Sequence, residues 1–194
     1  MQVNNYLGIV SIFFLSVCVT HQALATTSNK KHASSRTNGA TSKITSWEIS
    51  GALAARNRHK GWNASMNWVQ QGANHYQIRL SGPLGSGTVI ISKRGTVITL
   101  RDGPKQLSST NASTLLKQQT GVSLPIANLY YWVRGIPAPG AVQAEQHYPT
   151  GQLSQLKQAG YTIQYMQYNS TLPTVIKLQG NGVFIKLVIK NWKV

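Results

Sequence analysis

Three carboxylate side chains, Glu48, Asp102 and Glu145, are all that this 194-residue chain offers for acid–base work of that kind. They are scattered over about a hundred positions, and a paired-carboxylate reaction needs two of them flanking one bond. His59, His75 and His147, the histidines beyond residue 46, show no ligand spacing such as two on one helical turn, so surface or hydrogen-bonding roles are expected and no metal. One cysteine, Cys18, allows neither an internal disulfide nor a thiolate zinc cage. No Gly-x-Ser-x-Gly elbow presents a serine nucleophile. Gly82 to Gly87 superficially resembles a phosphate loop, but it lacks the lysine and lies between two expected strands. The residues argue against an enzyme and imply no cofactor.

The charge is lopsided instead. Nineteen Lys and Arg against three Asp and Glu leave a formal +16, and such an excess seeks an anionic partner: nucleic acid, a lipid surface or an acidic protein.

The elements that would carry these residues begin after a leader. Leu7 to Val19 is nearly all apolar, too short to span a bilayer and suited to the hydrophobic region of an export signal. Two endings compete. Ala23-Leu24-Ala25 fits ordinary cleavage, making 1–25 the signal. Leu15-Ser16-Val17-Cys18 approximates a lipobox, making 1–17 the signal and Cys18 the lipidated N-terminus, although Val17 is larger than the small residue expected there. Residues 26–46 follow, rich in Ser and Thr and basic, and read as a flexible tether.

From Trp47 the apolar residues recur every second position. Trp62, Ala64, Met66 and Trp68 share one face; so do Tyr76, Ile78 and Leu80, then Tyr161, Ile163 and Tyr165, then Val183, Ile185, Leu187 and Ile189. Gly180-Asn181-Gly182, Lys93-Arg94-Gly95 and Gln158-Ala159-Gly160 are hairpin turns. Helical signals are confined to the middle: one helix capped by Ser109 or Thr110 and running through Leu116 toward Gly121, another over Ile126–Arg134. The expected fold is mainly β (α+β), an antiparallel sheet large enough to curl, with short helices over its apolar concave face and a hydrophobic cavity between.

Leu84 stands alone in Gly82-Pro83-Leu84-Gly85, one large apolar side chain among glycines and a proline. It either folds back on the core or projects as an exposed finger, where one inserted leucine would contribute about 2 kcal/mol to membrane contact.

The series Trp47-Glu48-Ile49-Ser50-Gly51, Trp68-Val69-Gln70-Gln71, Tyr76 to Gly85, Leu124-Pro125-Ile126, Trp132 to Pro137, Gln158 to Tyr165 and Ile185 to Trp192 resembles, in order, the LolB family of outer-membrane lipoprotein receptors. The resemblance implies an incomplete antiparallel β-barrel with helices plugging its concave face, over residues 47–194. It implies a monomeric protein at the periplasmic face of the outer membrane that takes acylated lipoproteins from a LolA-like carrier and inserts them into the inner leaflet. It makes Gly82, Pro83, Leu84 and Gly85 the membrane-insertion loop, with Leu84 exposed, and Trp47, Trp68, Trp132 and Tyr165 candidates for cavity or lid. The rival reading, from the charge alone, is an exported basic β-sheet module that binds a polyanionic glycan or nucleic acid.

Overall fold

The computed structural model describes residues 39, 41–85, 87–112, 114–115 and 125–194; the expected export leader, Cys18 and most of the expected tether lie outside the described residues. Among the described residues eleven strands follow in order: β1 (Ser46–Arg56), β2 (Gly61–Gln71), β3 (His75–Ser81), β4 (Thr88–Arg94), β5 (Val97–Asp102), β6 (Lys105–Ser109), β7 (Val142–His147), β8 (Leu153–Gln158), β9 (Tyr161–Asn169), β10 (Leu172–Gly180) and β11 (Val183–Lys193). Helix α1 (Ile126–Trp132) stands between β6 and β7.

All strands belong to one antiparallel sheet in the order β6-β5-β4-β3-β2-β1-β11-β10-β9-β8-β7. It is two meanders joined where the first strand pairs with the last. The topology explains the position of α1. Strands β6 and β7 are consecutive among the strands yet lie on opposite free edges, so the chain between them must cross a face of the sheet. That chain carries α1 and lays it on the apolar face. Eleven strands laid flat would be about 48 Å wide; with one face burying a single core around α1, the sheet curls without closing.

The two-residue periodicity builds that core. Ile49, Met66, Trp68, Ile78 and Ile91 are buried in the first meander; Ile163, Tyr165, Ile176, Leu178, Ile185 and Leu187 are buried in the second. Register is held by turns of the predicted kind. Asn181 (φ 49°) and Gly182 (φ 75°) are both left-handed, as are Ala159 (φ 52°) and Gly160 (φ 77°), which matches the twist of the strands they join. At the central β1–β11 pair the register shifts: Ser50 faces Asn191 and Gly51 faces Ile189, leaving Lys190 unopposed. A Cβ on Gly51 would lie 2.0 Å from the Val188 carbonyl oxygen, so glycine is what permits the approach.

Three details differ from the sequence reading. Ser109 is still paired in β6 with Ile98, so the helical cap falls later, on Asn111, whose Oδ1 accepts from the Thr114 amide at 3.1 Å. That helix beyond Leu115 lies outside the described residues. Helix α1 ends at Trp132, two residues early, and Gly135 (φ 74°) completes the turn after it. Finally, the folded body reaches into the expected tether: Thr41 is buried and Ile44 packs against the core.

Candidate functional site

The candidate site has two parts: the concave side, where α1 lies, and the loop tipped by Leu84, which borders a groove formed with β1, β2 and β11.

On the concave side the four aromatic candidates are all buried, and they separate into groups. Trp47 (β1) and Trp68 (β2) stand together, ring centroids 4.8 Å apart, with Tyr130 of α1 stacked on Trp47 at 6.5 Å. Trp132, on α1, meets Tyr161 instead, and Tyr165 meets Tyr168 at 6.0 Å. Two of their polar atoms, Trp47 Nε1 and the Tyr165 hydroxyl, are buried with no hydrogen-bond partner. The concave face is therefore filled by its own side chains in this conformation. Open volume of about 720 Å³ lies beside α1, bordered by Thr45, Tyr130, Tyr131, Arg134 and Ile136.

A helix of seven residues does not persist by itself. Its neighbours hold it. Trp132 Nε1 donates to Gln158 Oε1 at 2.8 Å, the Ala138 amide donates to the same oxygen at 2.9 Å, and Gln158 Nε2 donates to the Ala138 carbonyl at 2.7 Å. One buried glutamine on β8 thus ties both the end of α1 and the segment after it to the sheet. Gln70 plays the same part for Trp68, accepting from its indole at 2.9 Å. Arg134, also buried, faces no carboxylate: Nε donates to the Tyr130 carbonyl at 2.9 Å, Nη1 donates to the Thr41 and Ile44 carbonyls, and its guanidinium lies over the Tyr130 ring, 4.1 Å from the centroid. None of these three residues was legible as a clamp in the sequence. Gln158 reads there as the first residue of a turn, and its partners are 20 and 26 positions away.

Leu84 sits elsewhere. The Gly82 amide donates to the Gly87 carbonyl at 3.0 Å, closing the loop, and Pro83–Gly85 form a tight turn at its tip. Leu84 is fully exposed, and its backbone is left-handed (φ 52°, ψ 28°). A leucine in that region costs roughly 1–2 kcal/mol, so the fold spends stability to hold an apolar side chain in water. The basic residues expected near the C-terminal run, Lys177, Lys186 and Lys190, lie mid-sheet on β10 and β11. The carboxylate of Glu48 is held below its ordinary range by a hydrogen bond from Asn67 and by Lys193. Among the described residues no three His, Cys, Asp or Glu converge, and no helix is long and apolar enough to cross a membrane.

Burial also acts on the tyrosines of the aromatic face. It pushes the Tyr76 phenol up to about 12, raises Tyr168 further with Tyr148 adding to the effect, and raises Tyr165 well above its ordinary value. These phenols keep their protons when folded at a pH where the unfolded chain would lose them. Their contribution is fully present below pH ~10 and is lost as pH rises through the folded values. Urea midpoints should accordingly fall steeply between pH ~10 and ~12; a midpoint flat over that range would count against the burial of these rings.

The family model described as outer membrane lipoprotein LolB matches residues 45–192. The chain is 38% identical over 157 residues to the outer-membrane lipoprotein LolB of Coxiella burnetii (strain RSA 493), covering 78% of this chain and 74% of that one. The LolB of Cellvibrio japonicus is 36% identical over 160 residues, covering 77% and 78%. Among solved structures, a LolA superfamily protein from Nitrosomonas europaea superposes with a TM-score of 0.55 at 11% identity, over 85% of this chain and 93% of that one; this likeness concerns the fold.

Proposed function

The chain belongs to the LolB family of outer-membrane lipoproteins, and from that premise we infer that it receives acylated lipoproteins from a LolA-like carrier and inserts them into the outer membrane. What carries the reading is the extent of the family match, which takes in every strand of the sheet from β1 into β11 and the whole of α1.

The physical task is to move an acyl chain without exposing it. About 15 methylenes left in water represent roughly 12 kcal/mol of apolar surface, so the receptor must cover them until a bilayer does. The concave face can do so if α1 yields. Its apolar contacts, made by Ile126, Leu129, Tyr130 and Trp132, are non-directional and are replaceable by methylenes of similar character. The unpartnered Trp47 Nε1 and Tyr165 hydroxyl are donors in that interior, and the ester carbonyls of an acylated glyceride are acceptors that would satisfy them. No bond is made or broken. Transfer runs downhill when the receptor holds the chains better than the carrier and less well than the membrane.

Delivery belongs to Leu84, which enters the inner leaflet while the body of the domain stays outside. The domain works as a monomer, its free edge strands β6 and β7 being only five and six residues long. An acylated Cys18 would tether it permanently; cleavage after Ala25 would leave Leu84 and the basic face as its whole membrane contact.

Binding of a fluorescent fatty-acyl probe tests the receptor step. The probe should be displaced by an acylated lipoprotein and not by the same protein without its acyl chains. Equal displacement by both, or by a sulfated glycan or nucleic acid instead, would overturn the reading.

A further inference from the structure

The face of the sheet turned away from the core carries a groove of about 610 Å³ across β1, β2 and β11. Its floor is made of small residues, among them Ala52, Ala54 and Ser65, with Ala52 facing Ser65 across the β1–β2 pair. Leu84 borders it, and so do Lys186 and Lys190.

The two lysines are placed at some cost. Lys186 lies directly opposite Lys177 in the β10–β11 pair, a like-charge juxtaposition that opposes pairing. Lys190 is the unopposed residue of the β1–β11 bulge, an irregularity that re-aims a side chain and that only glycine at position 51 permits. No carboxylate answers them. Glu48 is engaged by Lys193 and Asn67, while Asp102 and Glu145 lie on β5 and β7, toward opposite edges of the sheet. The charge in the groove is therefore open to an anion from outside.

We propose that this groove seats the phosphate-bearing head group of an anionic phospholipid in the receiving bilayer, held by Lys186 and Lys190 while Leu84 enters the acyl layer beside it. An occupant must be anionic at the lysines and apolar at Leu84 within one groove. A bilayer surface presents those two characters next to each other, phosphate above hydrocarbon, whereas an acidic protein surface offers the charge without a place for a fully exposed leucine. The proposal rests on the reading of Leu84 as the membrane-facing finger and adds to it the lipid class that orients the domain.

Sedimentation with vesicles tests it, using phosphatidylcholine alone and phosphatidylcholine doped with phosphatidylglycerol. The natural chain should prefer the doped vesicles. A lysine near an anionic surface is worth roughly a fivefold change in binding, so K186Q/K190Q should lose about twenty-five-fold of that preference while its binding to the neutral vesicles is unchanged. K105Q/K157Q, which removes equal charge from exposed positions on β6 and β8, should keep the preference. Full preference in K186Q/K190Q would overturn the seat, as would equal loss in K105Q/K157Q, which would mean diffuse charge. So would a K186Q/K190Q protein that loses an acidic carrier but not the vesicles. L84E should weaken binding to both vesicle types; binding to both at the natural level would reject the finger, and the ratio between the two would still judge the lysines.

Discussion

Leu84→Glu should leave the domain folded and its acyl-probe uptake intact while cutting delivery of a bound lipoprotein to vesicles more than a hundredfold. The folded state loses nothing, because Leu84 makes no buried contact there: its side chain is wholly in water. The membrane-bound state loses about 2 kcal/mol of apolar insertion and gains a carboxylate that must be kept out of hydrocarbon, a further cost on the order of 2 kcal/mol or more. Leu84→Gly separates these terms. It removes the finger without adding a charge and relieves the left-handed backbone, so delivery should fall by roughly thirtyfold while thermal stability stays level or rises. Scoring acylated lipoprotein on vesicles after release from the receptor reads both variants. Normal delivery by the glutamate protein would remove Leu84 from the mechanism.

Gln158→Ala is expected to be the most damaging change on the concave side. It strands three buried groups together: the Trp132 indole, the Ala138 amide and the Ala138 carbonyl. At 1–3 kcal/mol for each unsatisfied group, partly relieved by entering water, the loss is about 3–5 kcal/mol, or roughly 10 °C in melting temperature for a domain of this size. If Gln158 also restrains α1, the acyl probe should enter faster than in the natural chain at a temperature where both are folded. A melting temperature within a degree or two of the natural protein would show that the three groups find other partners and that Gln158 is no latch.

What the sequence disclosed was what periodicity and turn chemistry encode. Trp62 to Trp68 and Val183 to Ile189 alternate because each strand buries one face, and Asn181-Gly182 announces its hairpin because few pairs tolerate two left-handed residues. Strands β6 and β7 were hidden for the same reason: their side chains are exposed nearly throughout, so neither Lys105–Ser109 nor Val142–His147 sustains an alternation of apolar and polar residues. Strand β8 hid differently. Its buried leucines, Leu153 and Leu156, are three apart, beside a register shift at His147 opposite Leu153. The site divided along a similar line. Leu84 was conspicuous by composition, but whether it folded inward depended on a loop-closing bond from Gly82 to Gly87 and a backbone conformation that leucine rarely adopts. Gln158 and Arg134 carried no signal at all, since a clamp is defined by partners brought together only in three dimensions.

The helix and the segment before β1 are fastened by neutral amides, backbone carbonyls and a guanidinium lying on a tyrosine ring. Such contacts are barely screened, whereas the lysines outside act through water and weaken as ions accumulate. Ionic strength therefore acts on one surface of this protein and spares the other. A single salt titration would loosen its grip on an anionic partner while leaving the lock on its interior unchanged, so that docking and opening, two steps of the proposed cycle, could be told apart by the concentration of a simple electrolyte.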